Sequence, residues 1–153
     1  MIQFSKRSRN NDCDGIICKP TLDSSGEGSF WKVTIDALPS AWVFLGIIGN
    51  LDSSESYLSH NDPTRYGWMN DSGVYQGGTY QNGDSGWTDF TQGECLYFHL
   101  TAKKIMMFSV QKNKKFTMDV ATTVTYYIHF NTECTGTAWT LKPLGEDERA
   151  RLL

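Results

Sequence analysis

The chain has 153 residues, 39% of them hydrophobic, and a formal net charge of −3. That length fits one domain burying roughly 70% of its unfolded surface. The scattered basic residues exclude the charged face of a nucleic-acid binder, no apolar run approaches the ~20 residues of a membrane-spanning helix, and the N-terminus does not read as a signal peptide.

In chain order, the apolar patches Ile2 to Phe4 and Ile16 to Cys18 read as short edge strands. Asp23 to Ser29 is a glycine- and serine-rich loop. The stretch from Phe30 to Asn50 then reads as two strands and a turn, a hairpin at the centre of the fold. Trp31, Val33 and Ile35 alternate with Lys32, Thr34 and Asp36, the period of a half-buried strand. Ala37 to Ala41 contains Pro39, which cannot donate to a ladder. Trp42 to Ile48 is almost continuously apolar, as a strand buried on both faces would be. Leu51 to Thr64 is a long polar loop of the kind that often carries function. Tyr66–Asn70 and Gly73–Gln81 make the next hairpin, turning at Asp71-Ser72-Gly73, and Asn82 to Gly86 is a further turn cluster.

In Glu94–Leu100, Leu96, Phe98 and Leu100 share one face and Cys95, Tyr97 and His99 the other. Ile105–Val110 carries Met106, Phe108 and Val110 on one face. Lys112, Lys114 and Lys115 mark a polar hairpin end, and Lys115–Val120 is a short strand. Val124, Tyr126, Ile128 and Phe130 face inward on Val124–Asn131, and Thr137, Trp139 and Leu141 share a face on Thr137–Leu144. About ten short strands with turn signals between them, and no internal helix, predict an all-β, two-layer antiparallel sandwich. Residues 1–144 form a single domain, and the charged tail 145–153 is a short helix or disordered.

Catalytic patterns are missing. No strand carries the paired carboxylates of a sandwich-fold glycosidase, and there is no G-x-S-x-G, H-E-x-x-H or phosphate-cradling loop. His99 and His129 fall on outward strand faces, each two residues after a tyrosine. Two imidazoles without a third ligand make a poor metal site, so neither a metal nor any other cofactor is expected. Cys13, Cys18, Cys95 and Cys134 share no ligand spacing and read as free thiols in a reducing, cytoplasmic compartment. Asn70-Asp71-Ser72 matches a glycosylation sequon, which has no meaning there. Aromatic residues stand out more. Tyr57, Tyr66, Trp68, Tyr75, Tyr80 and Trp87 crowd one segment with glycine, serine and asparagine, a composition suited to adaptable binding surfaces. Trp68 and Tyr75 are also placed to cap the core.

Several of these strands resemble the SPRY (PRY–SPRY) family. Phe30-Trp31-Lys32-Val33 is similar to its "YWEV" strand, and Ala41 to Ile47 to its "W-x-x-G-V" strand. Tyr66-Gly67-Trp68 resembles the next core strand, Gly93 to Val110 the paired "G-D-x-x-G-V-x-L-D" and "LSFY" strands, and Tyr126 to Leu144 the closing pair. Glu94 stands where the family has aspartate, and the "LDYE" stretch is absent, as in a divergent member. The resemblance implies a bent, concanavalin-like sandwich that binds a protein or peptide through loops at one edge, often to choose the substrate of a ubiquitin ligase or adaptor. Family pockets draw on three places, which correspond here to Trp42, Val43 and Phe44; Trp68 to Asn70; and Asn131, Thr132 and Glu133.

The expectation is therefore a non-enzymatic interaction module, with Trp68 and Phe44 as aromatic anchors and Asn70 and Asn131 as hydrogen-bonding groups. The alternative is a carbohydrate-binding sandwich using the rings, amides and carboxylates between Tyr57 and Asp89. A structural or oligomer-forming role stays open.

Overall fold

The structure is a computed structural model; it describes residues 2–5, 14–18, 21–39, 42–50, 61–82, 89–132 and 136–153. Within these residues the strands are β1 (Ile2–Ser5), β2 (Asp14–Cys18), β3 (Ser29–Ala37), β4 (Val43–Ile48), β5 (Tyr66–Met69) and β6 (Gly73–Gln76), then β7 (Thr79–Asn82), β8 (Cys95–Leu100), β9 (Lys104–Ser109), β10 (Lys114–Asp119), β11 (Tyr127–Thr132) and β12 (Ala138–Pro143). They form two six-stranded sheets, one in the order β1-β12-β3-β8-β9-β10 and the other β2-β11-β4-β5-β6-β7. Every pairing is antiparallel. The chain is an all-β, two-layer sandwich, and β1 and β2 lie at sheet edges as their short apolar patches suggest.

The two halves of the Phe30–Asn50 stretch do not pair with each other. β3 lies between β12 and β8, whereas β4 lies between β11 and β5 in the opposite sheet. The connection through Pro39 is therefore a crossover between layers and not a hairpin turn. The reason is in the strands themselves. β3 needs cover on one face only, while all six residues of β4 are buried. β4 must have neighbours on both sides and cover on both faces, which an interior position in the second sheet supplies.

Two further boundaries differ from the sequence reading. Gly73–Gln81 is not one strand, because Gly77 (φ 62°) and Gly78 (φ 79°) fold it back into the β6–β7 hairpin. Two consecutive positive φ angles fit the primed turns that match strand twist. β11 begins at Tyr127, although Val124 and Tyr126 still pack into the core.

Between the sheets, Trp31 stacks on Phe98 with ring centroids 5.3 Å apart, and Phe130 meets Trp139 at 5.1 Å. A second apolar cluster covers the outer face of the first sheet. There Tyr97 and Phe108 are buried with Leu144 and Leu152, which flank a short helix α1 (Glu146–Ala150). Glu148 anchors that helix by accepting hydrogen bonds from Lys32 Nζ (2.6 Å), the Tyr97 hydroxyl (3.0 Å) and the Gly145 N–H (3.0 Å). The Arg149 and Arg151 guanidinium groups lie over the Phe30 and Phe108 rings, each at 4.8 Å. Among the described residues, no helix is long and apolar enough to cross a membrane.

Candidate functional site

β11, β4 and β5 are neighbours in the second sheet, and the three predicted site runs meet at one end of it. Thr132 pairs with Val43, Asn131 with Phe44, and Phe44 with Met69. Asn70 closes this end. Its side-chain carbonyl accepts the Val43 N–H (2.7 Å), and its own N–H donates to the Val43 carbonyl (3.1 Å). The Thr132 hydroxyl sits 3.3 Å from both the Trp42 carbonyl and the Thr137 hydroxyl. Gly136 approaches Pro39, since a Cβ there would lie 3.6 Å from the proline Cγ. The crossover and the β11–β12 connection therefore share this end. Glu133 lies outside the described residues.

Burial divides the predicted residues into two kinds. Val43, Phe44, Trp68, Asn131 and Thr132 are at most 1% exposed. Trp42 and Asn70 are half-buried and reach the rim. Phe44 and Trp68 cannot anchor one partner together, because strand alternation puts them on opposite faces. Phe44 pairs with Met69, and Trp68 with Leu45. Trp68 turns inward, 5.9 Å from Phe98 and 6.2 Å from Phe116. Phe44 turns outward onto the flat bed left by the paired Gly46 and Gly67.

The sequence reading missed the residue that holds Phe44 there. Arg65 is fully buried with its guanidinium 3.7 Å above the Phe44 ring and 4.5 Å from that of Tyr75. Tyr75 meets Phe44 edge-on at 5.9 Å, and His129 lies 5.6 Å away. A desolvated cation between two ring faces contributes about 2 kcal/mol. The signal was available in principle: Arg65 shares strand parity with Gly67, so it must rise from the glycine bed.

The two histidines stand apart. His99 is in the first sheet, stacked on Phe30 at 3.9 Å with Nε2 2.6 Å from the Glu27 carbonyl, and His129 is in the second. Both lie on the outward faces of their strands, as the alternation predicts, but are covered there: His99 is 7% exposed and His129 0%. Among the described residues, no group of three or more His, Cys, Asp or Glu could hold a metal ion. Cys18 and Cys95 are free thiols, and burial pushes the Cys18 thiol up to about 11.

No protein-family model matches the sequence, and no curated protein matches it. Solved structures do. A human SPRY domain superimposes with a TM-score of 0.62 at 12% identity, covering 94% of this chain and 92% of that one. The SPRY domain of human HERC1 gives 0.67 at 10% identity, covering 93% and 94%. The galectin LEC-6 of Caenorhabditis elegans reaches 0.48 at 11% identity. The chain has the fold of the SPRY domains.

Proposed function

We propose that this chain is a non-enzymatic protein-interaction module that captures a partner protein or peptide at the end of the second sheet where β11, β4 and β5 meet. The observation that carries this reading is convergence: three runs far apart in sequence become adjacent strand ends, closed by the Asn70–Val43 hydrogen bonds. The SPRY-type fold supports it. Trp42 and Asn70 offer the contact surface. Val43, Phe44, Trp68, Asn131 and Thr132 form the rigid floor behind it, fixed by packing so that little is lost to ordering on binding. Within this reading the module selects the substrate of a ubiquitin ligase or its adaptor, in the cytoplasm, where its thiols stay reduced.

Affinity capture from a cell lysate tests this, with the wild-type chain as one bait and Trp42→Ala as another. Proteins retained by the first and lost by the second, at unchanged melting temperature, support the edge as the working surface. Identical capture by both baits, or by neither, sinks it and turns the question to a glycan array.

A further inference from the structure

The first sheet ends in an open edge. β10 is its last strand, and among the described residues no backbone pairs with the far side of Lys114–Asp119. One hydrogen bond settles which groups point outward. The Val120 N–H donates to the Lys103 carbonyl (2.9 Å), so Val120 faces the β9 side. Alternation then turns Met118, Phe116 and Lys114 toward β9, and it turns the N–H and C=O groups of Lys115, Thr117 and Asp119 away from it. The side chains of these last three are exposed on the outer face. Phe116 and Met118 point inward, at the mouth of a cleft of about 270 Å³ lined also by Val74, Gln76 and Gln81.

This edge is complementary to itself. A second copy laid antiparallel about a twofold axis through Thr117 sets Lys115 opposite Asp119, Thr117 opposite Thr117, and Asp119 opposite Lys115. All three positions present outward backbone groups, so the ladder closes without a shift. On the inner side Phe116 meets the other copy's Met118, and each covers the cleft. Moving the register by two residues either way keeps the backbone parity but breaks both charge pairs. Edge lysines ordinarily repel a second edge; Asp119 in the same strand reverses that in this one register. Its pair with Lys104 is a long 3.8 Å contact between exposed groups, which leaves Asp119 able to turn to a partner.

We propose that the chain forms a twofold homodimer through β10, joining the first sheets of two copies into one continuous sheet. The interface is isologous, as closed twofold symmetry requires. It leaves the β11–β4–β5 end uncovered, so it stands or falls independently of the proposed function.

Sedimentation equilibrium of the 153-residue chain, up to roughly 0.5 mM as suits a small interface, tests it with charge reversal. Lys115→Glu alone and Asp119→Lys alone each oppose like charges twice and should raise the dissociation constant roughly tenfold. An equimolar mixture of the two variants opposes unlike charges at both positions and should recover the dimer as a mixed species. Thr117→Pro removes an outward N–H from each copy while sparing the bonds to β9, as edge prolines do, and should abolish the dimer at unchanged melting temperature. The proposal is overturned by a chain that is monomeric throughout this range, by a dimer indifferent to Thr117→Pro, or by variants whose mixture does not recover it.

Discussion

Gly46→Ala probes the closest packing in the second sheet. Gly46 and Gly67 face each other across the β4–β5 ladder. A Cβ on Gly46 would overlap the Tyr66 carbonyl oxygen, lie 2.7 Å from the Gly67 Cα and approach Phe44 Cζ to 2.9 Å. The first two are backbone atoms of β5, so relief requires the strands to part. The third belongs to a ring that Arg65 holds down. Overpacking of this kind costs about 3 kcal/mol. In a chain of this size that lowers the melting temperature by roughly 10 °C. Urea denaturation followed by tryptophan fluorescence measures it. Gly145→Ala is the control, since a Cβ there meets nothing nearer than 3.5 Å, and it should stay within about 1 kcal/mol of the parent. A Gly46→Ala chain as stable as the parent would falsify the β4–β5 register and the platform for Phe44 built on it.

Three other outcomes follow from the same geometry. Trp68→Ala should cost about 4 kcal/mol, because its indole is fully buried between the sheets, and denaturant titration reads the loss. The Lys32 ammonium, foremost, and the Gly145 N–H hold the Glu148 carboxyl below its usual range. A depressed folded value means the stabilisation is whole above the unfolded pKa, about 4.3, and is lost as pH falls through the folded one. Glu148→Gln should therefore flatten the acid limb of the pH–stability curve, and an unchanged limb would remove Glu148 as the clasp of α1. Burial raises the Cys18 thiol, so at pH 8 iodoacetamide should alkylate it roughly a hundredfold more slowly than in the unfolded chain. Peptide mapping by mass spectrometry decides, and equal rates would mean that Cys18 is not shielded.

Much of the architecture was legible because burial writes itself into local periodicity. The alternation of Trp31, Val33 and Ile35, and the unbroken apolar run of β4, both state how many faces each strand hides. Which strands lie side by side was not legible in this way. Pairing is a long-range choice, so the proximity of β3 and β4 in sequence suggested a hairpin where there is a crossover. The site shows the same division. The convergence of Val43, Asn70 and Thr132 followed from the family resemblance, since no local pattern joins residues so far apart. That Phe44 and Trp68 face opposite ways depends on register, which shifts every side chain when it slips by one. The place of Arg65 depends on the pairing of Gly46 with Gly67, because a glycine's effect is to leave room and only the neighbouring strand shows for what.

The placement of β1 and β2 sets a condition on how the chain is made. Ile2 pairs with Leu141, and Cys18 with Ile128, so the earliest strands find their partners only among the last. Pairings at such separation fold slowly, because the intervening chain must be ordered before they reward it. β4 likewise waits for β11 on one side, with its apolar run unshielded in the meantime. During synthesis the nascent chain therefore stays open almost to the end of this sequence, with the apolar run of β4 exposed to aggregation in that interval.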